Sequence, residues 1–272
     1  MMQFAVRLEI PGVLRATFDR PPINLVNDTT VAEVIALADR IESDPAVKVL
    51  IIDSTNPDWF MARYDISGQP LVSGANPWNG LERFAEAADR IARAPVLSIA
   101  SIRGRARGGG SEIALACDIR FASRERAVLG QPEVPFGLLP AGGAIERLSR
   151  LVGRARALEI VIGGEDYDAG TAERYGWINR AIADDHLDGF VTVFARRVAS
   201  FDRAAIVEAK RLINRVGLPD MDDLRETITA LPGVVASAAP ERRQKIRERA
   251  AALGDAFERD LGRNLGPAEA GR

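Results

Sequence analysis

Histidine and cysteine are nearly missing from this chain: His186 and Cys117 are the single examples of each in 272 residues. One cysteine excludes a disulfide framework, and its apolar helical setting points to a buried, inert thiol. With one histidine, in the polar stretch DDHLD, histidine triads and multi-histidine metal sites have almost no material. Lysine is scarce too (Lys48, Lys210, Lys245), and the net charge of −2 gives no footprint for nucleic acid. No run approaches the ~18 apolar residues of a membrane span. The opening MMQFAVRLEIPG alternates like a strand and carries no signal or transit pattern, so a cytoplasmic protein is expected. What is present is ordinary for a soluble globular chain, 47% apolar and 27% charged. The length suffices for one cored domain, alone or with a helical appendage.

Phe4 to Phe18 reads as a hairpin around Pro11-Gly12. After the proline-broken DRPPINLVND, Thr30 to Glu33 matches a capping box, and Val31, Val34, Ile35, Ala38 and Ile41 line one helical face. VKVLIID, Val47 to Asp53, is the near-continuous apolar run of a strand covered on both faces. FMARYDIS follows, then the Gly/Pro/Asn-rich GQPLVSGANPWNG, of a length that is often functional. A helix is expected over Leu81–Arg93, and strand–helix alternation continues to WINRAIA. From about Asp184 only helical periodicity remains. Near the end Ile246, Ala250, Leu253, Phe257 and Leu261 form an amphipathic stripe, which predicts a terminal helix covered by the core or by a neighbouring subunit.

The centre of the chain is APVLSIASIRGRARGGGSEIALACDIRFASRERAVLGQPE, Ala94 to Glu133. A β-branched run feeds a glycine turn that opens into an apolar helix. Such a turn points backbone N–H groups at developing negative charge. Gly104, Gly109 and Ser111 fit a P-loop in part, but Gly110 stands where the phosphate-binding lysine belongs. Ser111 as a nucleophile would need glycine two residues on, and Ile113 is there. Glycines for close helix–strand packing explain one or two of the run, not three beside a glutamate. Glu112 in the first turn and Glu133 beyond the next apolar run make a carboxylate pair. Two carboxylates at one apolar site can be driven to different pKa values, one acid and one base. Addition of water across a double bond needs that division of labour.

IASIRGRARGGGSEIALACDIRFAS resembles the crotonase (enoyl-CoA hydratase/isomerase) superfamily signature G-x-A-x-G-G-G-x-E-L-A-x-x-C-D. QPEVPFGLLPAGGAIERL is similar to its Q-P-E-x-x-x-G-x-x-P-G-x-G-G motif, FMARYDIS to F-x-A-G-x-D-[LI], and DYDAGTAERYGWINRAI to a later segment. The resemblance implies an α/β fold: a crotonase-like ββα spiral with two near-perpendicular sheet layers over residues 1–183, and a C-terminal helical oligomerisation region over 184–272. It implies an acyl-CoA substrate, coenzyme A entering as part of the thioester with no resident cofactor or metal, and a homotrimer or hexamer. Glu112 and Glu133 align with the hydratase glutamates, and Ala62 and Gly109 with the N–H donors of an oxyanion hole. Arg63, Tyr64, Asp65, Ile66, Phe136 and Pro140 fall where substrate would bind. Arg63 replaces a glycine, placing a bulky cation where it either meets a CoA phosphate or narrows the pocket, at a backbone position suited to glycine. PAGG, Pro140 to Gly143, is one residue short of the family spacing, and one extra residue separates the glutamates. The expected reaction is hydration of a 2-enoyl-CoA. Another crotonase reaction (isomerase, thioester or C–C hydrolase) and a non-catalytic scaffold subunit are the alternatives.

Overall fold

The computed structural model describes residues 2–65 and 79–267. Strands β1 (Phe4–Ile10) and β2 (Val13–Phe18) form the expected hairpin, antiparallel with Phe4 opposite Phe18. Helix α1 (Asp28–Ser43) follows, capped differently from the sequence reading. Asn27 is the N-cap and Thr30 its reciprocal partner, whereas Glu33 turns back to accept the N–H groups of Gln3 and Phe4. The capping box lies three residues earlier because an amide side chain reaches the free helical N–H groups as well as a hydroxyl does.

Strand β3 (Val49–Ser54) then lies parallel to β2, and β4 (Trp59–Met61) leaves for a second sheet. Helix α2 (Asn79–Arg93) closes this first strand–strand–helix unit. The same succession recurs with β5 (Leu97–Ile102), β6 (Arg105–Arg107) and α3 (Gly109–Ala116). It recurs again with β7 (Ile119–Ser123), β8 (Val128–Gly130), a single 3₁₀ turn at Val134–Phe136, and α4 (Ala144–Val152). Helix α5 (Arg154–Gly163), β9 (Asp166–Asp168), α6 (Ala169–Tyr175) and β10 (Arg180–Ile182) finish the sheets. The six-stranded sheet runs β1-β2-β3-β5-β7-β10 and the four-stranded one β4-β6-β8-β9. Three ββα units built in one order make the spiral the motifs implied.

Alternation along β3 shows how the large sheet is covered. Leu50 and Ile52 face the main core with Phe18, Ala100 and Ile113, while Val49 and Ile51 face α7 (Leu187–Ala199) through Leu187, Val191 and Ala195. The helix after the glycine turn is apolar on all sides because every residue of α3 is buried. The carbonyls at its C-terminal end, Ala114 and Cys117, accept from the buried Arg120 guanidinium. Cys117 is the inert thiol expected, pushed up to about 12 by burial.

The C-terminal helices are α8 (Arg203–Gly217), α9 (Met221–Ser237), α10 (Pro240–Leu253), α11 (Asp255–Arg259) and α12 (Leu261–Leu265). The single amphipathic terminal helix expected over Ile246–Leu261 is broken at Gly254, whose φ of +54° stops α10. Ile246, Phe257 and Leu261 instead fold into a small cluster on this chain's own Phe136, leaving Leu253 outside. Residues 184–267 are therefore packed onto the spiral: α7 on the sheet, α9 on α2 and α12 on β9.

Candidate active site

The glycine turn is shaped by what lies against it. Gly108 has φ +47°, and a Cβ there would come within 2.5 Å of Glu133 Oε1. Only glycine both takes that conformation cheaply and leaves room for the carboxyl. Gly109 opens α3, and a Cβ built on it would lie 3.2 Å from the Tyr64 nitrogen, so the two backbones run side by side. No hydrogen bond among the described residues uses the N–H of either Gly109 or Tyr64.

Ala62 is a correction. Its N–H donates to the Asn24 carbonyl at 3.1 Å and is not available to a ligand. Val26 N–H bonds the Arg63 carbonyl and Asp65 N–H bonds the Val26 carbonyl, so the Tyr64 N–H between them is turned the other way, toward Gly109.

Glu112, 3% exposed, is held at the entrance to α4. Its Oε1 accepts the N–H of Gly142 at 2.7 Å and of Ala144 at 3.3 Å. A Cβ on Gly142 would strike Phe84 at 2.3 Å and Glu112 Oε2 at 2.7 Å, so a glycine is needed for the carboxylate to sit there. PAGG, short by one residue against the family motif, still supplies that contact. Glu133 precedes the 3₁₀ turn, and its Oε2 is buried with no hydrogen-bond partner among the described residues.

The two acids differ in what holds them. Burial is the main force raising Glu112, with the charge of Glu146 adding to it, while the Ala144 and Gly142 N–H groups and Arg147 pull back; it comes to about 7. Glu133 has only its own backbone N–H to favour the charge, and burial together with the Glu112 charge outweighs it and holds the carboxyl well above the carboxylate range. The first to ionise is thus Glu112, and its charge keeps the proton on Glu133.

Both glutamates, Gly109, Arg63 and Tyr64 line one cavity of about 640 Å³, its open mouth included. The remaining wall is apolar, from Phe84 on α2, Leu139 and Ala141 before α4, Phe136 on the 3₁₀ turn and Leu231 on α9. Among the positions expected to bind substrate, Arg63, Tyr64 and Phe136 are in this wall. Pro140 is buried behind it, between two residues that do line it. Asp65 accepts from Arg20 at 3.3 Å outside the wall, and Ile66 lies outside the described residues.

Arg63 adopts no left-handed backbone; Asn24 is the non-glycine residue at positive φ among those described. Its guanidinium is engaged by Glu258 of α11 at 2.6 Å and by the Tyr64 carbonyl at 3.2 Å. The Tyr64 phenol donates to Asp28 at 2.5 Å, and burial with that bond keeps it protonated. Sequence reading missed Leu231, Glu258 and the N–H donors of Gly142 and Ala144. The leucine and the C-terminal glutamate carry no local signal, whereas the G-G pair before α4 did mark a close approach. Ser111 is sealed in the core and His186 lies on the surface beside Asp185, so neither joins this site.

The family model for enoyl-CoA hydratase/isomerase matches residues 9–226. A short-chain-enoyl-CoA hydratase of Clostridium acetobutylicum is 34% identical over 223 residues, covering 80% of this chain and 84% of that protein. A Rhizobium meliloti relative, named a probable enoyl-CoA hydratase, is 34% identical over 203 residues, 73% of this chain and 76% of that one. A Streptomyces avermitilis crystal structure superposes with a TM-score of 0.87 at 39% identity, covering 98% of both chains. An enoyl-CoA hydratase/isomerase from Xanthobacter autotrophicus gives 0.84 at 26% identity, over 98% of this chain and 99% of that one. The chain belongs to the enoyl-CoA hydratase/isomerase family, within the crotonase superfamily. It is an acyl-CoA-processing enzyme of that type.

Proposed function

We propose that this enzyme adds water to the double bond of a 2-enoyl-CoA with an apolar acyl chain, using Glu112 as base and Glu133 as acid. The observation that carries the reading is the unequal pair of glutamates lining one cavity: Glu112, held by the N–H groups of Gly142 and Ala144, and Glu133, whose buried Oε2 has no hydrogen-bond partner among the described residues and whose proton is held by burial and the Glu112 charge. Glu112 takes a proton from water as the water oxygen bonds the β-carbon. The electron pair of the double bond moves through the α-carbon to the thioester oxygen, giving an enolate. The enolate then collapses and the α-carbon takes the proton of Glu133. Gly109 N–H at the start of α3 and Tyr64 N–H beside it are the donors for the enolate oxygen, Tyr64 standing in the place the motif assigned to Ala62. One such donor is commonly worth ~3 kcal/mol of barrier.

Isomerisation, which moves a proton between two carbons, is served by a single carboxylate, so a second glutamate kept protonated favours hydration. Coenzyme A is the carrier half of the substrate in this reading, with no resident cofactor or metal. A homotrimer or dimer of trimers working in the cytoplasm goes with it. Two observations support assembly: an open apolar groove bounded by Leu97, Phe194 and Ile213, and the exposure of Ile213 and Val216 on α8, at 69% and 81%.

The test is loss of enoyl absorbance on adding crotonyl-CoA to the pure protein. Glu112→Gln and Glu133→Gln are each expected to lower kcat by about 10²–10⁴. Undiminished turnover in either variant would overturn the assignment of that residue, and no turnover of any 2-enoyl-CoA by the wild type would overturn hydration.

A further inference from the structure

We propose that Arg147 is the positioning residue of the site: it fixes the Gly142 peptide that holds Glu112 and keeps that carboxylate ionised near neutrality. The inference rests on Glu112 being the base.

Gly142 and Gly143 carry no side chains to hold them, and Gly143, the N-cap of α4, has φ +99°. A two-glycine entrance is conformationally loose unless something pins it. Arg147, one turn inside α4, returns its Nη1 to the Gly142 carbonyl at 2.8 Å. Gly142 is therefore held at both ends, its carbonyl by the guanidinium and its N–H by Glu112 Oε1 at 2.7 Å.

The guanidinium is 5% exposed, and its Nε and Nη2 make no hydrogen bond among the described residues. A buried cation with so few bonds is poorly explained by stability alone. Its surroundings give a better reason. Asp89 of α2, Glu112 of α3 and Glu146 of α4 all act on Arg147, and Arg93 shares Asp89 at 2.7 Å. Around Glu112, burial disfavours the charge most strongly, the N–H groups of Ala144 and Gly142 favour it, and of the neighbouring charges Glu146 disfavours it and Arg147 favours it; Glu133 meets it across the cavity. Arg147 thus supports ionised Glu112 twice, through its field and through the Gly142 N–H it aims. It is absent from the cavity wall and borders the groove on the other side of α3 and α4, so substrate does not touch it.

The decisive measurement follows Glu112 itself, by ¹³C NMR of protein labelled at the glutamate carboxyls, the resonance assigned with Glu112→Gln. Arg147→Gln is expected to raise the Glu112 midpoint by about one pH unit or more, and Arg147→Lys, which keeps the charge without the planar fork, by about half a unit. The acid limb of the pH–rate profile moves up by the same amount, kcat at pH 7 falls several-fold and KM stays as it was. A midpoint within about 0.2 unit of wild type in either folded variant overturns the proposal. Should Arg147→Gln not fold, Arg147→Lys decides alone. The NMR titration needs no turnover, so failure of the hydratase reading would show separately, as a wild type that leaves crotonyl-CoA unchanged.

Discussion

The Glu112 carboxyl is a destabilised anion, and its pH behaviour has a definite sign. Folded, it keeps its proton up to about 7 where an ordinary glutamate loses it near 4.5. Between those values the folded state binds more protons than the unfolded one, so this group's effect on stability becomes less favourable as pH rises through the window. Glu112→Gln is therefore expected to be more stable than wild type at pH 8 by on the order of 2 kcal/mol, and about equal at pH 4, by urea unfolding at both values. Activity runs oppositely, rising toward pH 7 as the base ionises. Glu112 and Glu133 were legible in the sequence because the glycine run and the Q-P-E motif mark them. The second N–H donor was not. Whether Ala62 or Tyr64 offers its N–H to the cavity depends on the pairing with Asn24 and Val26, about 40 residues upstream, and no pattern within FMARYDIS records that register.

Elements long enough to show a period were readable, and those too short were not. Strands β3, β5 and β7 are five or six residues long and mostly apolar, and helix α2 lies within two residues of its expected limits. The second sheet is made of three-residue strands, among them RAR and DYD, too brief for alternation to appear. Beside its apolar residues in the main core, a buried charge ties it to the C-terminal segment. Arg107 on β6, 1% exposed, bonds Asp166 at 2.6 and 2.7 Å and the carbonyls of Glu258 and Arg259 at 2.7 and 3.0 Å. It ties β9 and the end of α11 to the strand that leads into the glycine turn. Arg107→Ala is expected to cost about 2–3 kcal/mol, since it removes charge-assisted bonds to Asp166 and leaves the Gly262 N–H and solvent to serve that half-buried carboxylate. Hydrogen exchange should rise first over residues 255–265 and hardly at all in β3 or β5.

For the molecule as a whole, the surface not used by the site is the more informative part. Exposed Ile213 and Val216 on α8 continue into the apolar groove beside Phe194, the surface on which the proposed assembly is tested. Ile213→Glu with Val216→Glu is expected to shift sedimentation toward the monomer, and unchanged association would move the interface elsewhere. The C-terminal region was expected to serve assembly, with its stripe covered by the core or by a neighbouring subunit. The stripe closes on Phe136, while α9 puts Leu231 into the cavity and α11 puts Glu258 on Arg63.

That last contact has a consequence for how the protein is made. A chain leaves the ribosome from its N-terminus, and folding begins on what has emerged. The glycine turn, both glutamates and the Arg147 anchor all lie before residue 150, whereas Leu231 and Glu258 follow long after. A nascent chain halted near residue 200 already carries both acids and the donors that flank them, yet lacks the apolar wall from α9 and the partner of Arg63. Catalytic chemistry is laid down first in synthesis, and the apolar wall from α9 and the partner of Arg63 arrive later.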